Sequence, residues 1–431
     1  MDVQTILLVY ILIPLLIIHL ILTSDWFKDV PDLYLSEQSE IDATRLVNQS
    51  PIYRSNKLDL AGHVRAGLGI RYDSYKLRAG NLSDIWSIKS KRFEDVVVIN
   101  DVAVKWAEIN YIIHKMSLST KVIRVPLTHK IDIKWVVVLL AGFINQVTIE
   151  FYDEEGGDID DIDINYQGEL HSYENEYSGD KDKGIALRLV RNQPAIGKTT
   201  IEFTQLNIVS AVASMIKHLP GTHEITDRDT MVIVPSEVIS NEELFNIICK
   251  LLTCLITHCK LVITSTNNIF KYNPTILSIH EDHLPPAPPQ TYLSYLNKIC
   301  IPRGKLIPGT LRLIYINNKI TSQYNRELTK LREAYNSRII RELGYYNVFG
   351  PVILNDLYDY RTFNLNSGCI SQSLELKIVN INQTEKTGLL NVRGYVIGKT
   401  NMKDNVASSG DGFMPVNVRC KWGNDGCLYI T

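Results

Sequence analysis

The residues whose spacing most suggests phosphate chemistry are Gly197, Lys198, Thr199 and Thr200, which are consecutive. In a Walker A loop, backbone amides, a lysine and a hydroxyl surround the phosphates, and a further glycine stands five residues before the Gly-Lys pair. That earlier position is occupied by Asn192. A Walker A loop needs glycine there to bend tightly around the phosphates, so we do not expect one in this chain.

An acidic cluster, residues 153–163, contains carboxylates that could bind a cation. If Asp161 is taken as the first EF-hand position, Tyr166 occupies the position of the required glycine and Ser172 that of the bidentate glutamate. The spacing therefore does not suit calcium. We expect residues 153–183 to form a solvated acidic loop.

The seven cysteines are odd in number and irregularly spaced, which favours reduced thiols over a disulfide framework. Cys249, Cys254, His258 and Cys259 include zinc-binding residue types, but they fall in the largely apolar run 244–263 and contain no Cys-x-x-Cys pair. We therefore interpret these four residues as core residues and predict no metal site.

Composition limits the classes of partner. The 431 residues are 45% hydrophobic, which is enough for one large core or two. The formal net charge is −2 and the isoelectric point is near 6.6, so the chain has no basic field for nucleic acid. We predict no nucleic-acid partner.

The N-terminus carries no charged residue from Ile6 to Thr23. This length is close to that of a membrane-spanning helix, and no basic leader or small-residue cleavage site accompanies it. We predict a transmembrane helix within a membrane anchor, residues 1–24, followed by a polar tether, residues 25–60. Pro14 would kink a span and leaves a shallow hairpin, suited to a lipid droplet, as an alternative.

From residue 82 onward, apolar patterns alternate between strand and helix periods. Strands are predicted at 96–99, 122–127, 147–152, 231–234, 260–264 and 311–316, and helices at 83–93, 105–116, 131–140, 242–257 and 322–335. From residue 353 the chain becomes rich in strands, including 374–379 and 389–392. This order is typical of an α/β doubly wound domain followed by a β subdomain.

Four segments carry motif-like residues in the same order as one known family: Phe203-Thr-Gln-Leu-Asn-Ile-Val-Ser-Ala-Val212, Leu343-Gly-Tyr-Tyr-Asn-Val-Phe-Gly-Pro-Val352, Gly388-Leu-Leu-Asn-Val-Arg-Gly394 and Asp411-Gly-Phe-Met-Pro-Val-Asn-Val418 with its sequel to Ile430. The chain thereby resembles the acyl-adenylate-forming, AMP-binding superfamily, in particular the long-chain acyl-CoA synthetases. The resemblance implies two Rossmann-like halves and a small C-terminal β subdomain, which we expect at residues 61–430 with the β subdomain at 353–431.

The same alignment indicates how far the family's nucleotide site is altered. The family's phosphate loop falls on residues 191–200, where Gly197 is the sole glycine and Pro194 lacks an amide proton. Thr199 and Thr200 are the hydroxyls that remain. The family's Gly-Gly-Ala-Pro segment beside the adenine falls on residues 316–319, Ile-Asn-Asn-Lys.

Both carboxylates that the family uses are replaced. Its Thr-Glu pair, whose glutamate holds magnesium, falls on Tyr346 and Asn347, and its ribose-binding aspartate falls on Val418. An asparagine oxygen can bind a cation but supplies no charge, and valine accepts no hydrogen bond. The family's mobile C-terminal lid domain, which carries the catalytic lysine, would follow Thr431, and we expect the chain to lack it. The resemblance thus implies a degenerate site without a bound cofactor.

We therefore predict a catalytically inactive acyl-CoA synthetase-like protein, anchored in the endoplasmic reticulum membrane with its globular part in the cytosol. It would act by binding a long-chain acyl ligand or an active acyl-CoA synthetase. One alternative is a divergent long-chain fatty acid–CoA ligase with residual or partner-completed activity, and another is a purely structural membrane tether. Glycosylation at Asn48, Asn81 or Asn382 would instead indicate a lumenal domain.

Overall fold

A computed structural model describes most of the chain. The described residues are 7–23, 27–59, 62–71, 76–116, 120–153, 156–159, 173, 182, 184–193, 197–321, 327–361, 366–401 and 411–431. The acidic loop predicted at 153–183 therefore lies mostly outside the described residues.

Nine α-helices are described within these ranges. They are α1 (Ile13–Thr23), α2 (Asp32–Ser36), α3 (Leu82–Lys89), α4 (Trp106–Lys115), α5 (Ile133–Asn145), α6 (Gln205–Lys217), α7 (Asn241–Thr257), α8 (Tyr292–Cys300) and α9 (Leu328–Tyr335).

Twenty-two strands are described in the same ranges. They are β1 (Ser39–Asp42), β2 (Ile52–Ser55), β3 (Ile70–Arg71), β4 (Leu77–Arg78), β5 (Val96–Ile99), β6 (Val102–Lys105), β7 (Val122–Pro126), β8 (Thr148–Tyr152), β9 (Ile185–Gln193), β10 (Gly197–Thr204), β11 (Thr230–Val234), β12 (Lys260–Ile263), β13 (Ile276–His280), β14 (Leu313–Lys319), β15 (Arg338–Gly344), β16 (Pro351–Leu354), β17 (Asn366–Ile370), β18 (Leu374–Val379), β19 (Gly388–Gly394), β20 (Lys399–Thr400), β21 (Met414–Trp422) and β22 (Leu428–Ile430).

The largest sheet has a parallel half and an antiparallel half. In the parallel half the strand order is β15-β14-β13-β11-β12-β5. Its strands are apolar on both faces because helices cover both sides. In the antiparallel half, β1, β2, β18, β19, β21, β22 and β17 continue the sheet, joined to the parallel half through β16. This half contains the β subdomain predicted at 353–431.

A second sheet has the order β20-β10-β9-β8-β7, in which β7, β8 and β9 are parallel and β9 and β10 form an antiparallel pair. Helix α6 contacts this sheet at β10, whereas α7 contacts β14, β11 and β12 of the large sheet. Because α6 and α7 also contact each other, they lie between the two sheets. Two α/β halves packed through helices confirm the predicted α/β class.

The predicted elements are found close to their predicted bounds. Strand β18 spans the predicted residues 374–379, and α7 begins one residue before the predicted helix 242–257. The helix predicted at 322–335 is shorter in the structure: it begins at Leu328, because Glu327 is an extended N-cap residue, and 322–326 lie outside the described residues. The apolar periodicity was sufficient here because each element buries one regular face.

The predicted N-terminal transmembrane helix is not supported. Residues 8–23 are divided into a π-helical turn (Leu8–Leu12) and α1, and no helix among the described residues is long and apolar enough to cross a membrane. The turn precedes Pro14, which lacks the amide proton that would bond to the carbonyl of Tyr10. The large apolar side chains from Leu7 to Leu20 are nevertheless 40–67% exposed.

The polar tether predicted at residues 25–60 is corrected by the structure. Strand β1 pairs with β2, and β2 pairs with β18, so this segment extends the antiparallel half of the large sheet. Tyr53 stacks on Trp422 with ring centroids 3.7 Å apart. Sequence reasoning missed these short strands because their alternation of polar and apolar residues is weak.

Asp29 fastens the start of this segment to the body of the fold. Its backbone amide donates to the carbonyl of Gly304 at 2.9 Å. Its carboxylate accepts from Tyr360 Oη at 2.7 Å and Arg338 Nη2 at 3.1 Å, and Arg338 is buried. Three bonds to separate elements make Asp29 the fixed point at which residues 27–59 join the body.

We predict that Asp29→Ala lowers the free energy of unfolding by about 2–3 kcal/mol, because it leaves the buried Arg338 guanidinium without its carboxylate. Urea unfolding would measure the change. Asp32→Ala is the matched control: Asp32 is 83% exposed and pairs only with Lys28 among the salt bridges described, so its loss should cost less than about 0.5 kcal/mol. Equal costs for the two variants would contradict the assignment.

Candidate functional site

The residues aligned with the phosphate loop form the facing ends of two strands. Gly197, Thr199 and Thr200 lie on β10, which pairs with β9 so that Thr199 faces Arg191. Thr199 is buried, and its hydroxyl donates to the carbonyl of Arg191 at 3.2 Å. Because this hydroxyl already bonds to the neighbouring strand, it does not point freely towards a polyphosphate.

The strand setting also excludes a Walker A arrangement at Gly197–Thr204. A Walker A loop runs from a strand directly into a helix N-terminus, whereas Gly197 opens a strand and α6 begins only at Gln205. The capping box of α6 is made by Thr204 and Asn207. The helix N-terminus, which could attract an anion, is therefore already capped by side chains of its own chain.

Asn347 occupies the position of the family's magnesium-binding glutamate and is fully buried. Its Nδ2 donates to Met414 Sδ at 3.0 Å, while its Oδ1 has no partner among the described residues. Tyr346, aligned with the family's threonine, packs its ring 4.7 Å from that of Tyr345. The asparagine is therefore a neutral core residue whose side-chain oxygen accepts no hydrogen bond from a described residue.

The turn that carries Asn347 has a conformational requirement for glycine. Gly350 has φ +79°, a conformation that glycine adopts without strain, and a Cβ there would lie 3.6 Å from both Ala211 and Cys249. The turn is thus held against α6 and α7. This explains why the Gly-Pro frame of the motif is present although its chemical residues are not.

Val418, aligned with the ribose-binding aspartate, is buried on β21. Along this strand Met414, Val416, Val418 and Cys420 are buried and the residues between them are more exposed. The side chain therefore points into the core of the antiparallel half. It offers a ribose hydroxyl no hydrogen-bond acceptor.

The segment aligned with the family's adenine-binding residues lies on β14. Asn317 and Asn318 are both buried there. Asn318 Nδ2 donates to Glu281 Oε2 at 2.6 Å, and Asn317 Nδ2 lies 3.4 Å from Ser278 Oγ. Two asparagine side chains thus align with the family's small residues, whose backbone approaches the adenine base.

The structure brings the aligned positions together around residues 396–401. The side chain of Asn401 accepts from the amide of Thr200 at 2.8 Å and donates to the carbonyl of Lys198. Gly398 donates its amide to the carbonyl of Asn347 at 2.8 Å. Val418 is separate: it lies four residues beyond Met414, which is roughly 13 Å along a strand. The positions aligned with the phosphate loop and Asn347 therefore lie in one region, and Val418 lies outside it.

An aromatic cluster fills the space between these positions. Phe203, Phe245 and Phe349 are each at most 1% exposed, and their ring centroids lie 4.8–5.2 Å apart. They come from the end of β10, from α7 and from the turn before β16. Three buried rings in mutual contact therefore lie next to Asn347, which is two residues before Phe349.

A buried ionic network, which the sequence analysis missed, lies deeper between α7 and the large sheet. Lys250 and Glu342 are both 0% exposed, and Lys250 Nζ donates to Glu342 Oε1 at 2.6 Å. The same ammonium lies 3.2 Å from the ring centroid of Tyr315 and donates to Met215 Sδ at 2.9 Å. The aromatic face and the sulfur stabilise the charge where water is excluded.

Burial shifts the pKa values of the network away from the charged forms. Desolvation lowers the pKa of Lys250 and raises that of Glu342, and each partner opposes the shift of the other. Desolvation also lowers the pKa of His218 well below its ordinary value, with the Lys250 charge adding to the effect. His218 is therefore neutral at pH 7, and its Nε2 lies 3.1 Å from Tyr315 Oη.

Buried polar atoms near this network lack partners among the described residues. They are Asn246 Nδ2 and Oδ1, Asn317 Oδ1 and Glu342 Oε2. Asn246 lies one turn before Lys250 on α7, and Asn317 lies two residues after Tyr315 on β14. Lys250 on α7 contacts Tyr315 on β14. One layer further along these two elements, Asn246 and Asn317 therefore occupy facing positions.

Two charged residues in the sequence could have indicated this network. Lys250 stands inside the largely apolar run 244–263, and Glu342 stands on strand β15, all of whose residues are buried. Charged residues are almost never fully buried unless paired, so two of opposite sign in buried elements indicate a pair. The same run contains Cys249, Cys254 and Cys259, which are buried free thiols, as predicted.

Three solved structures resemble this chain over most of its length. o-Succinylbenzoate CoA synthetase (MenE) from Bacillus subtilis, in complex with the acyl-adenylate intermediate, superposes with a TM-score of 0.59 at 13% identity, covering 81% of this chain and 78% of that one. A long-chain-fatty-acid-CoA ligase (FadD1) from Archaeoglobus fulgidus gives 0.55 at 11%, covering 86% and 87%. The luciferase-like enzyme of the mealworm Zophobas morio gives 0.55 at 12%, covering 86% and 98%.

The chain has the fold of the acyl-adenylate-forming enzymes. The resemblance inferred from the four sequence segments is thus confirmed at the level of the fold. No protein-family model matches the chain. Among curated proteins, a putative uncharacterized protein of Saccharomyces cerevisiae, YHR045W, is 22% identical, with 94% of each chain covered.

We predict that Lys250→Met lowers the free energy of unfolding by about 3–5 kcal/mol, because it leaves the Glu342 carboxylate buried and unpaired. The double variant Lys250→Met/Glu342→Leu should recover most of that loss. Urea unfolding of the single and double variants would measure the coupling. A double variant as unstable as the sum of the single variants would show that the two side chains do not act as a pair.

We predict that Val418→Asp lowers the free energy of unfolding by about 3 kcal/mol or more. The substitution would bury a carboxylate among apolar side chains, where it loses its hydration. Lys421→Asp is the control, since Lys421 is exposed on the same strand. Thermal and urea unfolding would separate the two variants. A stable Val418→Asp protein would show that the position opens towards a solvated cleft.

Proposed function

We propose that this chain is a membrane-associated acyl-CoA synthetase-like protein that has lost adenylation and acts by binding a partner. The observation that carries the proposal is the burial of Asn347 and Val418 as neutral core residues, where the family's two carboxylates would be. Without these charges, magnesium and the ribose hydroxyls lose their ligands. Loss of a single transition-state contact already lowers a rate by about 10²–10³-fold.

The packing of the interior supports the same proposal. Phe203, Phe245 and Phe349 fill the space beside the nucleotide positions, and the Lys250–Glu342 pair lies below them. A long acyl chain would have to displace this packing or lie beside a charged pair. The filled interior therefore favours a partner protein, such as an active acyl-CoA synthetase, over a long-chain acyl ligand.

Membrane association is proposed through the segment from Ile6 to Thr23. Its described large apolar side chains are about half exposed, which in water is a liability that a lipid surface would remove. We place the protein at the endoplasmic reticulum, with lipid droplets as a second location. A cytosolic globular part is consistent with seven free thiols.

The sequons bear on this orientation. Asn81 is buried, and its side chain caps α3, so it is inaccessible to glycosylation once folded. Asn48 and Asn382 are exposed. A glycosidase-sensitive shift of the native protein would place the domain on the lumenal side and contradict the cytosolic proposal.

One observation favours the alternative of a divergent ligase. Asn347 Oδ1 is buried and has no described partner, so it could bind a cation. A partner could then complete the reaction. Asn347→Ala distinguishes the two functions: activity that depends on this residue would support a ligase, whereas a binding protein has no activity to lose.

We predict no thermal stabilisation by millimolar magnesium-ATP and no pyrophosphate release with long-chain fatty acid. A ligand at 100 times its dissociation constant would stabilise the protein by about 2.7 kcal/mol, which differential scanning fluorimetry detects. An active acyl-CoA ligase is the positive control. Pyrophosphate release that Asn347→Ala abolishes would overturn the proposal.

A further inference from the structure

An unusual apolar stripe lies on α8. Tyr292, Tyr295 and Ile299 are 78%, 58% and 49% exposed, at positions i, i+3 and i+7 of the helix. This spacing places them on one face. The opposite face is buried and includes Ser294 and Asn297. The helix thus has an apolar face that no described residue covers.

The stripe lies close to the point where the N-terminal segment leaves the body. Asp29 donates its amide to Gly304, which follows the short helical turn Ile301–Arg303 at the end of α8. Lys305 Nζ lies 5.2 Å from the ring centroid of Phe27. The chain therefore emerges beside the C-terminal end of the stripe.

The length of the connection limits where the apolar N-terminal helix can lie. Four residue steps separate Thr23 from Phe27, so their Cα atoms are at most roughly 14 Å apart. Any surface that holds the exposed apolar side chains of residues 7–20 must then pass close to the body at Phe27. The α8 stripe lies on the same part of the body.

The chemistry of this surface suits a lipid headgroup region. Tyrosine is enriched at membrane interfaces, where its ring is apolar and its hydroxyl remains hydrated. Lys298 and Arg303 are exposed beside the stripe, and Lys305 is partly exposed. These cations complement anionic headgroups. The acids of the adjoining N-terminal segment are paired, Asp29 with Arg338 and Asp32 with Lys28.

We propose that the stripe Tyr292–Tyr295–Ile299 is a second membrane contact, which together with the N-terminal segment fixes the orientation of the domain on an anionic bilayer. This inference rests on the membrane association proposed above. It adds a defined contact face on the globular body, which an N-terminal attachment alone does not require.

Two measurements on the full-length protein test it. In the first, a polarity-sensitive dye is attached through Tyr295→Cys or, as control, Val238→Cys, since Val238 is 88% exposed elsewhere. Unmodified protein gives the background labelling of native thiols. With vesicles of phosphatidylcholine and phosphatidylserine, we expect a blue shift from the dye at position 295 and none from the dye at position 238.

The second measurement is vesicle flotation of Tyr292→Ser/Tyr295→Ser/Ile299→Ser against a matched Val238→Ser/Phe270→Ser control. Phe270 is also exposed, so both variants lose surface apolar groups. We expect the triple variant to partition about tenfold more weakly than wild type, with the larger loss on phosphatidylserine vesicles, and the control to partition like wild type.

Three outcomes would overturn the inference. Flotation of wild type without a blue shift at position 295 would leave the N-terminal attachment standing and refute the second contact. A blue shift that depends on protein concentration without vesicles would assign the stripe to a second copy of the chain. Failure of wild type to float would refute both the membrane association and the second contact.

Discussion

The pair between Lys250 and Glu342 is the interaction on which the arrangement of the interior depends. It joins the middle of α7 to strand β15, with both charges removed from water at 2.6 Å. Separating them would cost several kcal/mol, so the helix cannot slide along the sheet without losing the bond. Since α7 also contacts α6, the pair sets how the helices between the two sheets are placed. The aromatic cluster of Phe203, Phe245 and Phe349 then packs on one end of this arrangement.

The packing of the interior explains why the glycine of the aligned motif is present although the motif's carboxylates are not. Gly350 is favoured by its positive φ, and its contacts with Ala211 and Cys249 hold the turn against α6 and α7. Asn347 and Val418 follow a different rule, because a buried position next to methionine or on an apolar strand favours a neutral side chain. Burial is therefore sufficient to explain a neutral side chain at each of these two positions.

The sequence predicted the elements of the fold better than the contents of its interior. Helix α7 and strand β18 follow from their periodicity, since burial of one regular face leaves a regular pattern. Strands β1 and β2 were missed because their own alternation is weak and because β2, with which β1 pairs, joins the sheet through β18, more than 300 residues away. The Lys250–Glu342 pair was missed for the same reason: each charge is visible alone, but their contact depends on how α7 crosses β15.

For the N-terminal segment, the sequence shows the apolar composition clearly but does not show where its helix begins and ends. From Ile6 to Thr23 the chain carries no charge, yet Pro14 interrupts the helical bonding and the described helix α1 has only 11 residues. Such a helix extends roughly 17 Å, about half the thickness of a bilayer core. The segment nevertheless stays close to the body, because only four residue steps separate Thr23 from Phe27. Asp29 fixes the body side of this connection, because its carboxylate bonds to Arg338 and Tyr360. The position of the segment is thereby transmitted to the fold.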